Sequence, residues 1–265
     1  MAKAEGHVRL PAPMRRSAIV RIVERDGFVS VAAISDALGV SEMTVRRDLD
    51  VLSDAAAVAR TFGGAMRRER YDADEPALER RIEANAAAKV AIARRAAAMV
   101  GAGETLGLDV GSTALALARE LAARADLRIV TSSLRAVAAL GGGRSPVYVP
   151  GGRVRADEQS VVGASAVDYL RGFAFDRAFL GVSGICESGI YDYSVEDSDV
   201  KRALMAQAGC VVLLCDASKF GRRALSRVAG LEGIDILVTD AAPPPPLADA
   251  LAAAEVEVIV ATAHE

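Results

Sequence analysis

The sequence predicts an α/β protein in two parts: a small helical N-terminal domain, then a larger domain built on a doubly wound, mostly parallel sheet. Three observations predict it. Between residues 105 and 260, short apolar stretches are separated by helix-length segments, the alternation of parallel strands and crossover helices. Between residues 14 and 53, apolar residues recur at helical spacing in three short runs punctuated by glycine. Between these regions, Met66–Pro76 is polar, highly charged and without apolar periodicity, as a linker would be. The expected boundaries are residues 12–67, a linker over 68–78, and residues 79–262. At roughly 150 residues per domain, a chain of 265 residues suits this division.

In the N-terminal part, Ala18, Ile19, Ile22 and Val23 give Met14–Arg25 the spacing of an amphipathic helix, which Asp26-Gly27 stops. Ser30 caps a second helix, Val31–Leu38, that ends at Gly39. Ser41 caps a third that runs to about Ser53. Two helices joined by a short glycine-containing turn, over about residues 29–48, make a helix-turn-helix. Val58–Ala65, with Gly63-Gly64, suits a β-hairpin wing. At 100° per residue, Val45, Leu49 and Leu52 of the third helix face inward, while Met43 and Arg47 point away and Thr44 and Arg46 flank them. Ser41 and Thr44 lie at its N-terminal end, where hydroxyls and backbone N–H groups meet phosphate. An arginine pair on an exposed helix suits the major groove, gripping guanine or phosphates. The charge agrees: residues 1–70 carry +3 and residues 71–265 carry −6, so only the small domain suits a polyanion.

In the larger part, Glu79–Val100 reads as one Ala-rich helix and Ser112–Ala123 as another. The strands are Thr105–Asp109, Leu127–Thr131, Val147–Pro150, Arg177–Gly181, Val211–Cys215, Ile236–Thr239 and Val256–Val260. Pro243–Pro246 closes a strand-to-helix loop. Doubly wound sheets bind ligands beyond the carboxyl ends of their strands. Those ends carry Asp109, Gly111, Ser112 and Thr113, then Thr131 and Ser132, then Gly151 and Gly152, and finally Lys219. Glycine allows close backbone approach, hydroxyls donate, a helix N-terminus favours an anion and lysine adds charge. Together they suit a small phosphorylated ligand, with Asp109 turned to a ligand hydroxyl. Neither G-x-x-x-x-G-K-[ST] nor G-x-G-x-x-G occurs.

Composition excludes other classes. Hydrophobic residues at 52% and charged residues at 25% rule out a disordered chain or a collagen-like repeat. With 4% aromatics and no Trp, the core falls to Ala, Val, Leu and Ile. Apolar runs such as Val110–Leu117 are broken well short of the about 20 residues a membrane span needs. The N-terminus lacks the apolar core of a signal peptide. Cys186, Cys210 and Cys215 show no metal-ligand spacing and read as reduced thiols. His7 and His264 lie near the termini, which excludes a histidine triad or a histidine-ligated zinc. The expectation is a cytoplasmic protein with no metal, cofactor or membrane partner.

Val40-Ser41-Glu42-Met43-Thr44-Val45-Arg46-Arg47-Asp48-Leu49, preceded by Gly27-Phe28-Val29-Ser30 and followed by Arg60-Thr61-Phe62-Gly63-Gly64-Ala65, resembles the DeoR-type winged helix-turn-helix. Its pattern is V-S-x-x-T-I-R-R-D-L, then R-x-x-G-G-A; Val45 stands for the usual Ile. The resemblance implies a DNA-binding set of Ser41, Met43, Thr44, Arg46, Arg47 and Arg60. Further along, Asp109–Thr113, Pro150-Gly151-Gly152, Gly181-Val182-Ser183-Gly184, Val200–Ala203 and Asp216–Gly221 resemble the DeoR C-terminal sensor domain, which is related in fold to ribose-5-phosphate isomerase. The family consists mostly of bacterial repressors released from DNA by phosphorylated sugars or polyols.

Lys201-Arg202-Ala203, Ser218–Arg222 and Thr239-Asp240-Ala241 are similar to the glycerol-3-phosphate repressor branch. The resemblance adds Asp197 and Lys201 to the effector set and implies glycerol-3-phosphate as effector, with a ketose or pentose phosphate next. Ser132 stands where the family usually has Asn, and Asp197 where it usually has Glu. The implied partners are operator DNA and the effector, bound by a homodimer or homotetramer whose paired heads read repeated half-sites. The rival reading is a sugar-phosphate isomerase-like enzyme using Asp109, Asp197 and Lys219, for which a DNA-binding head has no use.

Overall fold

The computed structural model describes residues 11–26, 28–54, 57–61, 63–66 and 76–261. The chain divides into two compact units, residues 1–69 and 70–265. Gly27, Phe62, most of the expected linker, His7 and His264 lie outside the described residues.

The first unit runs α1 (Ala12–Asp26), β1 (Phe28–Ser30), α2 (Val31–Leu38), α3 (Glu42–Asp54), β2 (Ala59–Thr61) and β3 (Gly64–Met66). The caps are those the residue types require. The Ser30 hydroxyl accepts from Ala33 N, and Gly39 closes α2 at φ 62°. The Ser41 hydroxyl accepts from Thr44 N at 3.3 Å. Ile19, Ile34, Val45 and Leu49 are fully buried in one core. The wing is a hairpin of β2 and β3, and the structure adds β1 to it, in the order β1-β3-β2. At three residues each, these strands are too short to leave a periodic signal.

The second unit opens on α4 (Leu78–Glu83) and α5 (Ala86–Ala97), where the sequence suggests one helix over Glu79–Val100. Asn85 breaks it. It takes the left-handed conformation at φ 53° and donates its amide to Asp216 Oδ1 at 3.0 Å. The buried Lys89 ammonium reaches back to the carbonyls of Arg81 and Ala84, closing the end of α4. A tertiary tie thus overrides the helix propensity of the alanines.

The chain continues with β4 (Thr105–Leu108), α6 (Ser112–Leu121), β5 (Arg128–Thr131), α7 (Leu134–Leu140), β6 (Val147–Tyr148), β7 (Arg153–Arg155), β8 (Ser160–Val162), α8 (Ala164–Leu170), β9 (Arg177–Gly181), β10 (Gly184–Cys186), β11 (Gly189–Asp192), α9 (Val195–Ala206), β12 (Val211–Leu214), β13 (Ser226–Ala229), β14 (Ile236–Thr239), α10 (Pro245–Ala253) and β15 (Glu257–Val260). The main sheet has seven parallel strands in the order β15-β14-β12-β9-β4-β5-β6. Its strands are the seven the sequence marks. Residues that alternate along them enter two cores on opposite faces: Leu180 and Leu213 in one, Phe179, Val212 and Leu214 in the other.

The sequence reading omits two antiparallel additions, the hairpin β7-β8 and the sheet β10-β11-β13. Strand order runs outward in both directions from the β4/β9 pair. The crevice at the carboxyl ends of β4 and β9 is therefore the topological switch point, where such sheets bind ligands.

Candidate functional sites

On α3 the outward face is as the 100° wheel places it. Met43 is 60% exposed, Arg46 and Arg47 are exposed, and Val45 and Leu49 are fully buried. Arg46 pairs with Glu42 one turn back at 3.1 Å, both half-exposed, so the pair contributes little and is open to exchange for a phosphate. Ser41 Oγ lies 3.0 Å from Thr44 Oγ1 at the N-terminal end. The backbone of Arg60 lies in β2; its side chain is outside the described part.

At the switch point of the second unit, Val110, Gly111, Ser112 and Thr113 follow β4, with Gly181 and Val182 following β9. Gly111 has φ 103°, a conformation that favours glycine, and its carbonyl accepts the first turn of α6 from Leu115 N. Ser112 and Thr113 thus stand in the first turn of a helix, whose backbone donors have no partner within the helix itself. Four cations converge on the space above: Arg81 from α4, Arg155 from β7, Lys201 from α9 and Lys219 from the 3-10 turn after β12. Four carboxylates answer them. Lys201 pairs with Asp109 and, at 3.3 Å, with Asp192; Arg81 pairs with Glu158; Arg155 pairs with Asp197 at 2.8 Å. Asp109 also accepts from Gly181 N at 3.0 Å, which ties the β4 end to the β9 end.

Electrostatics differ from group to group. Burial opposes the charge of Lys201, but Asp109 and Asp192 outweigh it and hold its pKa above the ordinary value. Burial pushes Asp109 up to about 6 against the pull of Lys201. Burial also lowers Lys219, against the attraction of Asp216. Asp109 Oδ1 and Asp197 Oδ1 are buried without a hydrogen-bond partner among the described residues. Unpaired buried carboxylate oxygens are costly and invite a hydroxyl donor. The cavity left between these groups is about 30 Å³, room for one or two water molecules.

The structure brings Gly111, Ser112, Thr113, Asp197, Lys201 and Lys219 to this cavity, with Asp109 beneath them bonded to Lys201. It does not bring Thr131, Ser132, Gly151 or Gly152 to its lining. Thr131 Oγ1 accepts from Ser133 N, and Ser132 is buried beside β8, its carbonyl accepting from Val161 N. A Cβ on Gly152 would meet Val162 O at 2.6 Å, so this glycine serves hairpin packing. Arg81, Arg155, Glu158 and Asp192 are lining residues that sequence reasoning missed. Their elements lie outside the seven-stranded sheet, and no strand-end rule points to them. A wider groove of about 660 Å³ lies between α8 and α9, but it lacks the buried cation cluster of the switch point.

Among the described residues, no helix is long and apolar enough to cross a membrane. Cys186 and Cys215 are buried and Cys210 is half-buried, all as free thiols.

Two family models match the chain: a DeoR-like helix-turn-helix domain over residues 15–70 and the DeoR C terminal sensor domain over residues 84–241. The glycerol-3-phosphate regulon repressor of Escherichia coli (strain K12) is 31% identical over 232 residues, covering 87% of this chain and 91% of that protein. The transcriptional repressor AccR of Agrobacterium fabrum is 33% identical over 230 residues, covering 85% and 88%. Among solved structures, ribose 5-phosphate isomerase A from Methanocaldococcus jannaschii aligns with a TM-score of 0.38 at 21% identity, covering 50% of this chain and 53% of that one.

Proposed function

The chain belongs to the DeoR family, and from that premise we propose that it is a sequence-specific transcriptional repressor released from operator DNA by a phosphorylated sugar or polyol. In this reading residues 12–67 form the DNA-binding domain and residues 79–262 the sensor. The observation that carries the sensing half is the convergence of four cations and the α6 N-terminus on a cavity with buried, unpaired carboxylate oxygens. The cationic end suits a phosphate; the orphan oxygens of Asp109 and Asp197 suit ligand hydroxyls. Arg81, Ser112, Thr113 and Lys219 hold the phosphate. Glycerol-3-phosphate is the first candidate, supported by the name of the E. coli relative and by the residues Lys201–Ala203 and Ser218–Arg222. On the DNA side, Ser41, Met43, Thr44, Arg46 and Arg47 read the operator from α3, with Arg60 on the wing.

A cavity of about 30 Å³ cannot take a sugar phosphate as it stands. Entry therefore parts the Arg81–Glu158 and Arg155–Asp197 pairs, and in this reading the liganded state differs in the side chains that α4 and the β7-β8 hairpin bring to the cavity. A ligand with differential affinity for the two states shifts their populations, and DNA affinity follows. The test is a gel shift with an operator duplex titrated with phosphorylated polyols and sugars. Release by glycerol-3-phosphate supports the full reading. Release only by a hexose or pentose phosphate changes the effector, and no release by any of them removes the sensor assignment.

A further inference from the structure

We infer that Asp48 is a positioning residue for operator reading: through Arg15 and Arg16 of α1 it fixes the orientation in which α3 presents Met43, Arg46 and Arg47. The inference rests on α3 being the helix that reads DNA. Asp48 follows the two arginines directly, so a carboxylate sits where an approaching phosphate backbone would repel it unless it is directed elsewhere. The structure turns it away. Asp48 is 3% exposed, on the edge of the face that carries Val45, Leu49 and Leu52. Its two oxygens are shared out: Oδ2 accepts Arg15 Nε at 2.5 Å and Oδ1 accepts Arg16 Nε at 3.0 Å. Burial raises the cost of its charge, yet the two guanidiniums outweigh it and keep its pKa below the ordinary value, so the clamp is ionic at neutral pH.

Beside these bonds, Ile19 and Val23 of α1 share one aliphatic core with Val45, Leu49 and Leu52 of α3. Such packing is non-directional and tolerates small slides and rotations. Two charge-assisted hydrogen bonds from successive residues of one helix to one carboxylate of another fix both the axial register and the rotation. A rotation of α3 by even a fraction of one residue's 100° would misplace Arg47 against a base edge while leaving backbone phosphates within reach of flexible arginines. Asp48 therefore governs discrimination between sequences more than affinity for DNA as such.

The experiment compares the full chain with Asp48→Asn, Arg16→Gln and Arg47→Ala. It measures Kd for an operator duplex selected by the wild-type chain from random sequence and for a scrambled duplex of the same composition. For Asp48→Asn the operator-to-scrambled preference should fall by roughly tenfold or more, the scale of one lost bidentate base contact, with scrambled-duplex affinity within about threefold of wild type. Arg16→Gln keeps the Arg15 pair and should show the same effect, smaller. Helical circular dichroism reports folding. If Asp48→Asn does not fold, Arg16→Gln decides, since Arg16 is one-third exposed and removes only one bond. A preference within twofold of wild type in the folded variant, or equal losses on both duplexes, overturns the inference. If the wild-type chain itself shows no sequence preference, or Arg47→Ala keeps it, the reading of α3 fails instead.

Discussion

Lys219 lines the cavity and Asp109 is bonded to its lining residue Lys201; their charges are supported differently, and each makes a prediction. Asp109 is fully buried, and burial raises it to about 6 although Lys201 is bonded to it. A carboxylate raised in the folded state binds its proton more tightly there than when unfolded. Its stability contribution is therefore complete below the unfolded value near 3.8 and is lost as the pH rises through about 6. Asn cannot titrate. The stability difference between the wild type and Asp109→Asn should thus move in the variant's favour by up to about 3 kcal/mol between pH 4 and pH 7. Denaturant melts at both pH values measure it; a constant or opposite difference means that Lys201, not burial, sets the pKa. Lys219 bonds through its backbone N–H to the Asp216 carbonyl, and the residue is part of the cavity lining. Losing one charge-assisted contact costs about 1.5–3 kcal/mol. Lys219→Ala should weaken a phosphorylated ligand by about ten- to 100-fold and its unphosphorylated parent by less than about twofold. Equal losses by isothermal titration would take Lys219 out of the phosphate site.

Legibility in the sequence follows the period of each element. The seven strands of the main sheet are buried apolar runs, and the helices between them leave their own spacing, so the sheet and its strand-end residues Gly111, Ser112, Thr113 and Lys219 could be read in advance. The hairpin β7-β8 could not. Arg153, Val154 and Arg155 alternate over only three residues, too few to separate a strand from a loop, yet this hairpin delivers Arg155 and Glu158 to the cavity. Similarly, Arg81 sits on a six-residue helix that the sequence merges into a longer one, because only the fold brings Asp216 within reach of Asn85. Thr131, Ser132, Gly151 and Gly152 show the converse. They satisfy the strand-end rule but lie off the cavity lining; Thr131 and Gly152 serve local structure instead, the first accepting from Ser133 N and the second packing against Val162 O. The hairpin's own prediction concerns Glu158, which is 2% exposed and pairs with Arg81. A phosphate must compete with that carboxylate. Glu158→Gln removes the competing charge while keeping the shape, so effector affinity should rise by roughly three- to tenfold, about 0.7–1.4 kcal/mol. A fall in affinity by isothermal titration would make Glu158 a ligand contact instead.

At the scale of the whole molecule, the two units are joined through the segment around residue 70, and regulation requires that they exchange free energy. An effector that weakens operator binding by a given factor must itself be bound more weakly by the same factor when operator is present. The expected coupling is about 1–3 kcal/mol, or roughly five- to 150-fold. It is measured by titrating effector into the free protein and into the protein saturated with operator duplex, alongside operator Kd with and without saturating effector. Equal ratios in the two directions are required if sensing and reading are linked through one pair of states. Unequal ratios mean that a second equilibrium intervenes, and the natural candidate is assembly, because a single winged helix buries too little DNA surface for high specificity and two-fold-related heads read two half-sites at once. Sedimentation of the free and effector-bound protein at micromolar concentration separates the cases. A dimer or tetramer in both states, with equal ratios, places the switch within the subunits. An effector-dependent change of mass places it at their interface, and a monomer in both states removes the paired-head model.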